Sequence, residues 1–400
     1  MVDEDKSGSK NCDVKTLEPQ RFEIGGDSGG VGDPRNWLTH LEEHGYAVLR
    51  DPSFGAEQIL AATRLFWDYV EAVSGNAVQR DDPRSWSDAH WPATLAIGIF
   101  RLHGVGQSAF MWYVRTLPVM RRVFEAYYSG ERDFCTSFDG CGAFRGAEHP
   151  MESREWPHVD QNLATHPIYG SQIQALANFF ESSPATGGFV CVPGSHRRVT
   201  ANFGRRDPAT MRMFADPRLS ARHLTSETAA RVFLRLLPGD VLVWHSTLIH
   251  ENRAPPRATV STPLSTSSPP PVSPPPSLPP PPLQEAMRGR LIRLVAYVSY
   301  QPRDQVLANE LLGYSGSGNG DSKTSPAKDD AENTPAAAFK AKRRAACAAG
   351  WTCGHLVHFD LRDNRPGLVA EAEAKTKTVT FACPETCRKR EFTEAEELLL

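Results

Sequence analysis

The chain has 400 residues, 40% of them hydrophobic, with 44 Lys and Arg against 47 Asp and Glu and a formal net charge of −3. That balance offers no basic surface for nucleic acid or for an anionic membrane, and no stretch approaches the ~20 apolar residues that span a bilayer. Eight scattered cysteines fit a reducing compartment better than a disulfide scaffold, and the polar start Met1-Val2-Asp3-Glu4-Asp5-Lys6 has no apolar signal core, so the expected location is cytoplasmic.

Residues 1–32 are rich in Gly, Ser and Asp and read as disordered. A short helix near Trp37–Glu43 leads into an alternating strand, Gly45–Arg50. Ala56–Val73 then carries Ile59, Leu60, Leu65, Phe66, Tyr69, Val70 and Val73 at helical spacing, which predicts an amphipathic helix packed on a sheet. A second helix is expected over Met111–Tyr128. From Phe134–Phe138 to Tyr300, short strands alternate with turns, as in a jelly roll. Two low-complexity segments interrupt the pattern. Residues 257–282 hold three runs of three or more prolines, which lack the donors for a sheet ladder and must loop out from its edge. Such a tract also offers a ligand to SH3- or WW-type domains. Residues 313–338 read as a disordered linker, and 339–400 as a C-terminal segment partly packed on the core. It has a basic helix at Phe339–Ala349 and an ordered piece at Gly354–Arg362. Cys383 and Cys387, with Cys347 and Cys353, lack the paired spacing of a structural zinc site and read as free thiols.

The chemistry concentrates in two runs. The first is Trp156-Pro157-His158-Val159-Asp160-Gln161-Asn162. The second, Gly239-Asp240-Val241-Leu242-Val243-Trp244-His245-Ser246-Thr247-Leu248-Ile249-His250, continues into Glu251-Asn252-Arg253. Residues i and i+2 on a strand face the same way, so His158 and Asp160 converge while Val159 turns into the core. Two imidazoles and one carboxylate on a single metal make a facial triad, which leaves open positions for O₂ and a co-substrate and suits Fe(II). An isolated His-x-Asp is a weak signal. Here it stands with Gly187-Gly188-Phe189-Val190-Cys191-Val192-Pro193-Gly194-Ser195-His196, a strand closed by a Pro-Gly turn, and with the basic strand Arg290–Tyr300.

With these elements in this order the chain resembles the phytanoyl-CoA dioxygenase (PhyH-like) family of Fe(II)/2-oxoglutarate oxygenases, from about Gly45 to Tyr300. The resemblance implies a mainly β fold with flanking helices, a double-stranded β-helix (jelly roll, cupin-like), over residues 33–312. It also implies the metal ligands: His158, Asp160 and His250, the last standing just before an Asn and an Arg as the family's distal histidine does. His245 then becomes a pocket or outer-sphere residue, and His196 a turn histidine. The family anchors 2-oxoglutarate with an arginine that opens the strand after the distal histidine. Arg293 takes that place with Arg290 as the alternative, although the proline insertion widens the usual separation. Asn252, Gln172 and Gln161 are expected to bind ligands or co-substrate, and Arg115, Phe138 and Arg145 to line a substrate mouth, for which Trp112 is a further candidate that reads better as core. The implied activity is hydroxylation of a small organic metabolite by O₂, with release of succinate and CO₂. Asp160 argues against a halogenase, which lacks that carboxylate. Two alternatives stay open: a jelly-roll metalloenzyme that does not use 2-oxoglutarate, and a non-catalytic scaffold whose proline tract binds partners.

Overall fold

The computed structural model describes residues 14–25, 34–92, 98–146, 156–161, 172–198, 230–255, 291–311, 334–352, 381–389 and 391–400. The proline-rich insertion 257–282, Arg290 and the segment Gly354–Arg362 lie outside the described residues.

In chain order the elements are β1 (Lys15–Leu17), β2 (Arg21–Glu23), α1 (Pro34–His44), β3 (Tyr46–Arg50), α2 (Ala56–Val73), β4 (Ile99–Phe100), α3 (Ala109–Arg115), α4 (Pro118–Tyr127), β5 (Phe134–Thr136), β6 (Cys141–Arg145), β7 (Ile173–Asn178), β8 (Gly188–Cys191), β9 (Val232–Leu234), β10 (Val241–His245), β11 (His250–Arg253), β12 (Leu291–Val298), β13 (Tyr300–Pro302), α5 (Arg303–Leu311), α6 (Pro335–Ala348) and α7 (Glu394–Glu397). Two sheets carry the fold, with orders β2-β3-β10-β7-β12-β6-β4 and β1-β9-β8-β11; β5 and β13 form a separate pair. A bridge between His158 and His250 adds the 158 segment to the free edge of β11.

Within these sheets the central strands run β6-β12-β7-β10 in one and 158-β11-β8-β9 in the other. The chain therefore crosses between sheets in the sequence β6, 158, β7, then β8–β9, then β10, β11 and β12. That winding is the double-stranded β-helix, and among the described residues the two sheets do not close into a barrel.

Alternation decides what each face meets. On β10, Val241 and Val243 join the large core under the helices, while Leu242 and Trp244 join the core between the sheets. On β12, Leu294, Ala296 and Val298 face the helices, and Val295 and Tyr297 face inward. The helical layer is built from Phe66 and Val70 of α2, Phe110 of α3 and Val123 and Phe124 of α4. α2 spans the expected residues, because its apolar positions fall on one stripe against the sheet.

Three expectations are corrected. The single helix over Met111–Tyr128 is two, because Pro118 has no N–H to donate and drives Leu117 out of the helical region, to φ −59° and ψ 133°. Residues 15–17 and 21–23 are not disordered: they pair in parallel with β9 and β3, and Arg21 reaches Asp240. α6 starts at Pro335 rather than 339, since Thr334 caps it by accepting from the Ala337 N–H and Pro335 suits the first turn.

The Gly-Asp opening of the second run has a structural reason. Gly239 has φ 86°, and a Cβ there would meet the Phe54 carbonyl oxygen at 2.9 Å. Asp240 is fully buried and accepts from Arg21 Nε at 3.0 Å, Arg50 Nε at 2.8 Å and the Leu237 N–H at 2.7 Å. Asp240→Ala leaves those three donors without their acceptor, so it is expected to lower unfolding stability by about 3 kcal/mol, read from the denaturant midpoint.

Candidate metal centre

Strand pairing builds the site. The His158 and His250 backbones exchange N–H···O bonds of 2.9 Å each way, which sets the two side chains next to each other across the sheet edge. The N–H groups of Asp160 and Gln161 then both donate to the Ser246 carbonyl, at 2.8 and 3.0 Å, and carry the carboxylate to the end of β10. His158 Nε2 lies 3.3 Å from one Asp160 oxygen and His250 Nε2 lies 3.2 Å from the other. The three ligand atoms sit within 4.8 Å of one another, as one metal ion requires.

The outer nitrogens are committed as well. His158 Nδ1 lies 3.0 Å from the Trp156 carbonyl and His250 Nδ1 lies 2.9 Å from that of Leu248. These contacts fix the tautomer in which each Nδ1 carries the proton and each Nε2 presents its lone pair to the shared site. Ring packing adds orientation: Trp156 stacks on His158 at 4.2 Å and 14°, and Phe189 on His250 at 5.2 Å and 15°. Burial and the neighbouring His250 push His158 below its ordinary pKa. For His250 burial works the same way, but the Asp160 carboxylate, the Leu248 carbonyl and Glu251 together outweigh it and the net shift is upward.

Arg293 has the parity of Val295 and Tyr297 and so points between the sheets. It is fully buried, and none of its three guanidinium nitrogens has a hydrogen-bond partner. Its guanidinium lies 5.0 Å over the Phe144 ring. The Tyr297 hydroxyl is near enough to interact electrostatically but stands outside hydrogen-bond geometry, and burial lowers the pKa of Arg293. A guanidinium buried without an anion is expensive. The inter-sheet space can therefore take a ligand with a negative end, since a planar fork binds a carboxylate by two parallel bonds.

Asn252 shares the inward face of β11 with His250, and its carbonyl accepts from the Trp156 indole at 2.9 Å. Gln161 is buried and its side-chain oxygen accepts from the Gln172 N–H at 2.9 Å. Gln172 is buried too, and its side-chain oxygen has no hydrogen-bond partner. One participant escapes a reading of the sequence. Gln174 donates to Asp160 Oδ2 at 2.7 Å and to Ser246 Oγ at 3.2 Å. Strand parity is the available signal, because Gln174 shares the inward face of β7 with Leu176.

His245 has the parity of Val241 and Val243 and so faces the helices, away from the triad. Its ring stacks on His196 at 4.8 Å and 8°, and its Nε2 lies 3.7 Å from Glu42. It is thus neither a pocket residue nor a neighbour of the metal ligands. The three expected mouth residues also belong elsewhere, and Trp112 lies in the core as expected. Arg115 donates to the Gly106 and Asp139 carbonyls, Trp112 to Gln107, and Arg145 binds Asp88 and the Trp86 carbonyl. Phe138 lies under the Arg343 guanidinium in the helical core.

Burial pulls His245 down to about 3, and His196 and His40 are lowered for the same reason. An imidazole that is harder to protonate when folded stabilises the fold fully above its unfolded pKa, near 6.5, and loses that contribution as pH falls. Stability of the metal-free protein should therefore decline on acidification from about pH 6.5, by up to ~1.4 kcal/mol per pH unit for each titrating imidazole. A His245→Phe variant should show a shallower decline in denaturant midpoints between pH 6.5 and 4.

Residues 145–254 match the model of the phytanoyl-CoA dioxygenase (PhyH) family, and the chain is PhyH-like over that stretch, which holds both ligand runs. A curated relative, the Ava biosynthesis cluster protein O of Aspergillus versicolor, is 24% identical over 180 residues, covering 43% of this chain and 57% of that protein. The chain thus matches only a little over half the length of that relative. Among solved structures it is similar to EctD from S. alaskensis with bound Fe, at 14% identity, TM-score 0.39, 73% of this chain and 84% of that one. It is also similar to the non-heme alpha-ketoglutarate dependent epimerase SnoN from nogalamycin biosynthesis, at 15% identity, TM-score 0.36, 68% of this chain and 83% of that one. The strand order carries the fold.

Proposed function

We propose that the chain is an Fe(II)- and 2-oxoglutarate-dependent dioxygenase that hydroxylates a small organic metabolite. The observation that carries this is a pairing inside one fold: a His-Asp-His cluster with all three ligand atoms converging, and an unpartnered guanidinium buried between the same two sheets. The PhyH match over both ligand runs agrees with it. The donor set fits the cofactors, since two imidazoles and a carboxylate suit Fe(II) and an isolated buried arginine suits a dicarboxylate.

In this reading His158, Asp160 and His250 hold the metal, and Arg293 binds the far carboxylate of 2-oxoglutarate. Gln172, with a free acceptor, and Asn252, beside His250 on β11, meet the co-substrate or its bound water; Gln161 holds the Gln172 backbone in place. Trp156 and Phe189 cover the imidazole faces and keep bulk water from them. When bound, iron and 2-oxoglutarate supply the redox chemistry, with succinate and CO₂ as products and one oxygen atom passed to the substrate. The Arg293 environment favours this over a jelly-roll metalloenzyme without an oxo acid, which leaves that charge unexplained.

We place the substrate among small biosynthetic intermediates, in keeping with the cluster relative from Aspergillus versicolor. A cytoplasmic location accords with the free thiols of Cys135, Cys141 and Cys191. The test is direct. Protein reconstituted anaerobically with Fe(II), given 2-oxoglutarate and a metabolite extract and then O₂, should release succinate and yield a product heavier by one oxygen. Metal binding without any dependence of O₂ uptake on 2-oxoglutarate would instead favour the metalloenzyme reading.

A further inference from the structure

Gln174 and Ser246 form a clamp on the carboxylate ligand. The Gln174 amide nitrogen donates to Asp160 Oδ2 at 2.7 Å and to Ser246 Oγ at 3.2 Å, so its two N–H bonds are spent on two different elements. Gln174 is 3% exposed and Ser246 is fully buried, so water does not compete for the bond between them and reaches the bond to Asp160 only from the carboxylate side. The backbone repeats the connection: the Ser246 carbonyl takes the N–H groups of Asp160 and Gln161, and the Ser246 N–H donates to the Gln172 carbonyl at 2.7 Å. Asp160 is thereby tied to β7 and to the end of β10 at once.

A carboxylate on a short side chain rotates about its last torsion, and that rotation decides whether one oxygen or both face a metal. A neutral donor on one oxygen arrests the rotation without adding charge. It also takes up a lone pair of Oδ2, which weakens that oxygen as a ligand relative to Oδ1. A fixed carboxylate also lowers the ordering entropy of metal capture, because the ligand is already in place.

We infer that Gln174, braced by Ser246, is a positioning residue that sets the orientation of the Asp160 carboxylate and so the affinity and coordination mode of the metal. This rests on the reading of His158, Asp160 and His250 as metal ligands. Neither residue is one of the three converging ligands. Their effect is on the ligand geometry and reaches the chemistry only through Asp160.

The experiment uses the full chain and Co(II), whose visible spectrum reports coordination and which binds without turnover. Wild type, Gln174→Leu, Gln174→Met and Ser246→Ala are each titrated by calorimetry, and their melting midpoints are recorded without and with saturating Co(II). Loss of an outer partner of a metal ligand typically weakens binding about 10- to 100-fold. Both Gln174 variants are expected to fall in that range, with a changed visible band. Ser246→Ala should weaken binding less, because the amide keeps its bond to Asp160. The metal-induced rise in midpoint should shrink in the same order, since binding stabilises the fold in proportion to the logarithm of metal over Kd. A residue of purely structural importance would lower the midpoints with and without metal equally and leave the Kd alone. That outcome, or wild-type Kd and spectrum in a Gln174 variant, overturns the inference. If a Gln174 variant does not fold, Ser246→Ala decides by the same two readouts. Should the wild type show neither Co(II) binding nor a midpoint shift, the ligand reading itself fails, which is a separate result.

Discussion

Asp160→Ala is expected to lose its metal. Iron retained after anaerobic reconstitution and desalting should drop to background, and succinate release from 2-oxoglutarate should fall by more than the ~100-fold typical of losing an outer partner. His158→Ala and His250→Ala should behave alike, because each removes one of three ligand atoms that converge within 4.8 Å. The size of the effect follows from the geometry, since Asp160→Ala loses the one charged group among the three converging ligand atoms. His245→Ala makes the control. Its ring stacks on His196 on the helical side of β10, so that variant should keep its iron. Retention of full stoichiometry in Asp160→Ala, or loss of iron in His245→Ala, would refute the ligand assignment.

Arg293→Met should separate binding from stability in opposite directions. Its guanidinium is fully buried with no anion beside it, so in the ligand-free protein only the Phe144 ring and the Tyr297 hydroxyl offset its desolvation penalty. Replacing it by an apolar chain of similar length should raise the denaturant midpoint of the metal-free protein, by about 1 kcal/mol or more in stability. The same change removes a charge-assisted carboxylate bond worth ~1.5–3 kcal/mol, so the KM for 2-oxoglutarate should rise roughly ten- to a hundredfold. A drop in stability with an unchanged KM would mean that Arg293 serves the fold. The two measurements together distinguish a site held ready for an anion from an arginine that merely fills space.

Local pattern carries a good part of this. The spacing of Ile59, Phe66, Tyr69, Val70 and Val73 predicts α2 to the residue, because an amphipathic stripe needs no knowledge of its partner. His158 and His250 are readable from their flanking runs, and the convergence of their ligand atoms with that of Asp160 then follows from strand pairing rather than from either run alone. The split of the 111–128 helix is also legible, since Pro118 carries its own breaking chemistry and that chemistry overrides the apolar period around it. The pairing of residues 15–17 and 21–23 is not, because a three-residue strand has no period of its own and exists only where a sheet edge offers donors and acceptors.

Side-chain facing marks the boundary. The sequence by itself determined the ligand types and the strand-like runs that carry them, since these depend on residue chemistry and spacing along one strand; the cation beyond the distal histidine is what the family resemblance implies. Only the tertiary structure decided that His245 faces the helices, that Arg293 is buried with no anion beside it, and that Arg115 and Arg145 serve backbone carbonyls away from the site. It also brought Gln174 and Ser246 together on Asp160. The physical reason is that parity assigns a side chain to one of two faces, while the meaning of each face comes from strands distant in the chain. Register between β10, β7 and the 158 segment is set by hydrogen bonds and packing summed over the whole sheet, and no local run contains that sum.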